Sequence, residues 1–140
     1  MSQDANFKKQ IERLLDQAGR EHRSKHQGVY ANRYVIHVTG GFPFDVMYEK
    51  GAKTPPNIWC LAKVAEHVED VECEIDHADR LRQVPGQYGR HSALEHMPQL
   101  ANADLAKFLP KTLTDVRAII DAIKSLSENP GTSTSGRSPS

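Results

Sequence analysis

Residues 33–49, RYVIHVTGGFPFDVMYE, decide the class of fold. Arg33 to Val38 is dense in aromatic and β-branched side chains, which suit a pleated, half-buried surface. Gly40-Gly41 and Pro43 interrupt it, and Phe44 to Glu49 resumes the same chemistry in the returning direction. Two strands joined by a glycine-bearing break predict a β-hairpin, with a loop longer than the tightest two-residue type.

Upstream, Phe7, Ile11, Leu14, Leu15 and Ala18 recur at three- and four-residue spacing, with Asp4 placed to cap the helix they imply. From Gly19 the apolar stripe gives way to the polar run GREHRSKHQG. Downstream, Lys50 to Pro56 reads as a loop whose Thr54-Pro55 pair suits an N-cap and first helical position. Ile58, Leu61, Ala62, Ala65 and Val68 then predict a second helix. Val71 to Asp76 alternates, with Val71, Cys73 and Ile75 on one face and Glu72, Glu74 and Asp76 on the other, as a half-buried strand would.

A long loop follows over residues 77–97. Asp104 to Leu109 predicts a further strand that Pro110 ends. Leu113, Val116, Ile119, Ile120, Ile123 and Leu126 form the apolar stripe of a last helix, opened by a capping-box-like Thr112 and Asp115. The order α-β-β-α-β-loop-β-α implies an α+β fold, or a small mixed-sheet α/β fold, with helices packed on a small sheet.

The chain of 140 residues accommodates a single globular domain, expected over residues 1–126. Residues 127–140, SENPGTSTSGRSPS, offer no apolar anchor to offset the entropy of ordering, and are expected to form a disordered tail. Lys and Arg balance Asp and Glu at 18 each, so no global field draws the chain to nucleic acid or membrane. Cys60 and Cys73 do not make a disulfide framework, and MSQDANFKK lacks the apolar core of a secretory leader. These features predict a cytoplasmic protein with reduced thiols and no membrane partner.

Titratable chemistry concentrates in residues 72–97. Cys73, His77, His91 and His96 are zinc-ligand types, but on a continuing strand Cys73 and His77 would stand roughly 13 Å apart at ~3.3 Å per residue, too far for one ion. Asp45 with Glu72 and Glu74 could meet around Mg²⁺, since alternate strand residues share a face and hard cations take carboxylate oxygens. The alternation of residues 71–76 also explains these acids simply as the wet face of a strand. Arg90, His91 and His96 are candidate catalytic groups, an arginine to grip phosphate or carboxylate and histidines for proton transfer. Gly86 and Gly89 flank Tyr88 and free that loop to bring backbone close to a ligand.

A basic segment carries Arg20, Arg23, Lys25 and Arg33, with His22 and His26, against Glu21 alone, and Tyr30 and Tyr34 lie nearby for stacking. Set beside Arg80, Arg82 and Arg90, it would give a neutral chain a basic face. Trp59 reads as core, or as an anchor for a protein partner.

No glycine-rich phosphate loop, nucleophile elbow or H-E-x-x-H occurs. The sequence therefore favours a small, non-enzymatic binding protein without cofactor, contacting nucleic acid or nucleoprotein through residues 20–34 and the 77–97 loop. The alternatives are a Mg²⁺-dependent nuclease or phosphodiesterase using Asp45, Glu72 and Glu74, and a protein-interaction module acting as inhibitor or accessory subunit.

Overall fold

The computed structural model describes residues 3–26, 29–37 and 43–126. Helix α1 (Gln3–Ala18) leads into the two-residue strand β1 (Arg20–Glu21), the hairpin strands β2 (Ala31–His37) and β3 (Pro43–Glu49), and β4 (Asn57–Leu61). Strand β5 (Cys73–Asp76), the short helix α2 (Pro98–Ala101), strand β6 (Leu105–Phe108) and helix α3 (Leu113–Lys124) complete it. The strands form one six-stranded sheet in the order β1-β2-β3-β4-β6-β5, every neighbouring pair antiparallel. The fold is α+β.

Adjacent residues of β2 establish the layering. Asn32 donates to Glu12 of α1, while Arg33 donates to the Ala93 carbonyl. Successive strand residues point to opposite faces, so α1 lies on one side of the sheet and the 91–97 segment on the other. Helices α1 and α3 pack together on the first side, burying Ile11, Leu15, Val116, Ile119 and Ile123 against Tyr34, Ile36, Phe44, Val46 and Tyr48. Ala93, Leu94, Met97, Leu100 and Ala101 are buried in the irregular layer opposite.

The hairpin, both long helices and the strand at 105–108 form where the periodicity predicts them. Helix α1 starts at Gln3, so Asp4 lies within it rather than before it. Thr112 caps α3, its side chain accepting from the Asp115 N–H, and Asp115 accepts in turn from the Lys111 N–H at 2.8 Å. The 38–42 connection with Gly40-Gly41, and the 127–140 tail, lie outside the described residues.

The helix expected over 58–68 does not form. Asn57–Leu61 is a strand with all five residues buried, and only Ala62–His67 coils, as a 3-10 helix. A strand between two others and covered on both faces has no polar side, so it loses the alternation that marks a strand. The polar run after α1 adds the edge strand β1. The alternation over 71–76 also fails at its end: Ile75 is 43% exposed, while the Asp76 side chain is only 11% exposed. No helix among the described residues is long and apolar enough to cross a membrane.

Gly19 makes the tight passage from α1 to β1 possible. A Cβ there would stand 2.3 Å from the Val35 carbonyl oxygen, a backbone atom that cannot swing aside. Gly19→Ala is therefore expected to cost about 1–3 kcal/mol, the usual range for overpacking, read as a lower urea midpoint at unchanged slope. An unaltered midpoint would refute this close approach.

Candidate functional site

A cleft of about 580 Å³ opens at the β1 edge of the sheet. Arg20, Glu21, His22 and Arg23 form one wall, Val35 and His37 of β2 with Pro43 and Asp45 of β3 the floor, and Pro98 and Gln99 of α2 the far side. Strand β3 runs past the end of β4, whose ladder begins only at Met47. The Gln99 amide replaces the missing strand: Asp45 N–H donates to its Oε1 at 2.8 Å, and its Nε2 donates to the Pro43 carbonyl at 3.1 Å.

His22 and Asp45 meet at the base of this cleft, 5% and 7% exposed, with Nε2 and Oδ2 3.1 Å apart. The Ser24 backbone N–H points at His22 Nδ1 from 3.0 Å. Nδ1 must then be the unprotonated nitrogen, and Nε2–H donates to Asp45. Burial raises the Asp45 carboxyl above its ordinary pKa, only partly offset by His22 and by the charge of Arg23. Ser24 Oγ lies 2.8 Å from the same Nδ1 but does not line the cleft, so the contact is a local turn and not a nucleophile–base pair.

Arg20 and Arg23 are exposed, and among the described residues neither forms a salt bridge. Arg20 Nη2 lies 3.4 Å from His37 Nε2. Lys25 is also exposed, with the left-handed φ of 72° closing the turn after β1. Arg33 is different. It is 7% exposed, and its guanidinium donates to the carbonyls of Ala93 at 2.9 Å, Ser24 at 3.2 Å and Lys25 at 2.8 Å.

Arg90 is likewise internal. Its side chain is fully buried, donating to Asp76 Oδ2 at 2.8 Å, to the Asp76 carbonyl at 2.9 Å and to the Leu100 carbonyl at 3.2 Å. Arg80 also binds the Asp76 carboxylate, and Arg82 donates to Asn102 and lies over the Tyr88 ring. Asp76 stands five strand steps from Arg20, roughly 24 Å at ~4.8 Å per step. The structure thus does not assemble the expected continuous basic face. Arg33 and Arg90 are buried within the fold, and Arg80 lies at the opposite sheet edge.

The other candidates also separate. Asp45 on β3 and Glu74 on β5 have β4 and β6 between them. Glu72 pairs with Lys111 at 3.1 Å and Glu74 with Lys107 at 3.4 Å. Cys73 packs against the core, where burial raises its thiol pKa. His77 lies 3.8 Å from Asp104, His91 caps the 92–96 turn by accepting from the Ala93 N–H, and His96 is exposed. Among the described residues no three His, Cys, Asp or Glu side chains are placed to hold a metal ion. Trp59, 7% exposed, donates to Glu49 and belongs to the core, so it offers no interface anchor.

The residues that sequence reasoning missed are His37 and Gln99 of the cleft and the partnership of His22 with Asp45. No spacing rule links positions 23 residues apart on different strands. No family model, curated protein or solved structure matches the chain.

Proposed function

We propose that this protein binds nucleic acid through the β1 edge, with Arg20 and Arg23 taking phosphates at the mouth of the cleft and Lys25 adding charge beside them. The observation that carries this reading is that two exposed arginines, three residues apart in sequence, line one cleft, and among the described residues neither is in a salt bridge with a carboxylate. An exposed guanidinium is a fork of donors suited to phosphate oxygens, whereas one already bound to carbonyls, as in Arg33, is not available to a ligand. A metal-dependent phosphodiesterase finds no comparable support, because β4 and β6 separate Asp45 from Glu74, and Glu72 and Glu74 pair with Lys111 and Lys107.

The test is a salt titration of binding to labelled single- and double-stranded DNA and RNA in EDTA. Counterion release makes log affinity fall linearly with log salt. Arg20→Gln/Arg23→Gln is expected to weaken binding to all sequences and to reduce that slope by about 1.4 on single strands and about 1.8 on duplex. Arg117→Gln, which removes one exposed charge on the helical side of the sheet, serves as the control away from the cleft and is expected to leave the slope unchanged. An equal slope in the double variant would refute the assignment to this edge.

A further inference from the structure

We infer that the β1 cleft receives one guanine-bearing nucleotide, its phosphate on Arg20 and Arg23 and its base donating to the Asp45 carboxylate. This rests on the nucleic-acid reading above and specifies what that site selects. A volume of about 580 Å³ suits a nucleotide-sized ligand. Val35, Pro43 and Pro98 give the lining apolar surface for a flat ring, between the arginines and the Asp45 floor.

The hydrogen-bonding inventory of the lining narrows the choice of base. Gln99 uses both its amide atoms on β3, and His22 uses both ring nitrogens on Ser24 and Asp45. Glu21 turns one oxygen to the His26 N–H at 2.9 Å. Of the two polar groups of the floor, His37 is exposed with its Nε2 3.4 Å from Arg20, and Asp45 is the buried one. Among the described residues it accepts one side-chain hydrogen bond, from His22 to Oδ2, and a carboxylate has room for several.

An acceptor set into the floor selects for donors. Guanine presents N1–H and N2–H side by side, which a carboxylate accepts as a pair. Adenine and cytosine each place one amino group beside an acceptor nitrogen, and uracil sets its lone N3–H between two carbonyls that repel the carboxylate. The lining also balances two arginines against two carboxylates. A ligand bringing both an anion and donors matches that balance better than a bare anion does.

Calorimetric titration of the full chain with GMP, AMP, CMP, UMP and guanosine tests this, alongside oligouridylates with and without one central guanosine. The expected result is guanine bound at least about tenfold tighter than uracil, within the range of one paired base contact, with guanosine weaker than GMP. Asp45→Asn keeps an oxygen for the His22 N–H but replaces the other by an NH₂ group, and should erase the preference for guanine. Selectivity in the mononucleotides marks a free nucleotide as the ligand; selectivity confined to the oligomers marks a guanine within a chain. Equal affinity for GMP and UMP together with equal affinity for both oligomers overturns the inference, whether or not Asp45→Asn folds. In that event, salt-sensitive binding through Arg20 and Arg23 would leave the nucleic-acid reading standing. Absence of all binding would remove both.

Discussion

Asp76→Ala should destabilise the protein by about 3–5 kcal/mol, the range seen when one partner of a buried ion pair is removed. Asp76 ends β5, and its carboxylate takes hydrogen bonds from both Arg80 and Arg90. Arg80 is half exposed and would recover water as a partner. Arg90 would not, because its side chain has no exposure. Truncating Asp76 leaves a guanidinium charge enclosed with only carbonyl acceptors, and that desolvation dominates the loss. Asp76→Leu with Arg90→Met removes both charges and should regain much of the stability, since apolar replacement of a buried pair is often neutral or better.

The same site sets an acid limit. Burial alone would raise the Asp76 pKa, but the hydrogen bonds and charges of Arg80 and Arg90 outweigh it and hold the carboxyl below its ordinary value. The folded state then binds fewer protons at this site than the unfolded chain. Its contribution is full above the unfolded pKa of ~3.9 and is lost as pH falls through the folded value. Asp45 works in the other direction: its folded pKa is raised, so its contribution is full below the unfolded value and declines as pH rises through the folded one. Urea unfolding from pH 7 to pH 3 should show a steeper acid loss in the parent than in Asp76→Ala. A deficit under about 1 kcal/mol at pH 7, typical of an exposed pair, would mean that Arg90 is not held as described.

The second large effect is expected at Arg33, where Arg33→Met should cost roughly 3 kcal/mol, from carbonyls left without donors at about 1–3 kcal/mol each where water cannot replace them. Arg33 ties the turn bearing Arg23 and Lys25 to the 91–97 segment on its face of the sheet. Its loss should therefore also weaken the nucleic-acid binding proposed for the β1 edge, although Arg33 itself is not placed to touch a phosphate. Arg33→Lys separates the two explanations. Lysine keeps the charge but cannot span the carbonyls with a planar fork, so stability and binding should both stay low. Full recovery of binding in Arg33→Lys would reassign Arg33 as a direct phosphate contact.

Much of the fold was legible in local pattern. Helices α1 and α3 each set a wide apolar stripe toward the sheet, and the hairpin strands carry β-branched and aromatic side chains around a glycine pair. Strand β4 was not legible. Ile58, Leu61, Ala62, Ala65 and Val68 fit a helical stripe, yet Asn57–Leu61 is buried on both faces between β3 and β6. A short apolar run of this kind carries no period that distinguishes strand from helix. At β5 the alternation misled for a different reason. The helices pack over β1, β2 and the 62–67 turn, leaving Ile75 at the far edge exposed, while two arginines from the following loop cover Asp76.

The candidate site was half legible. Arg20, Arg23 and Lys25 stood out as a basic segment, and they are indeed exposed. Arg33 and Arg90 looked the same in sequence, yet both are buried. The amino-acid sequence by itself determined that helices pack on a small sheet, the terminal helices and the hairpin, because periodicity is a property of neighbouring residues. The tertiary structure alone decided which arginines meet solvent and which side chains share a cleft. Those outcomes depend on segments such as Ala93, sixty residues from Arg33, crossing the sheet to bury a charge, and no local pattern encodes a contact at that separation.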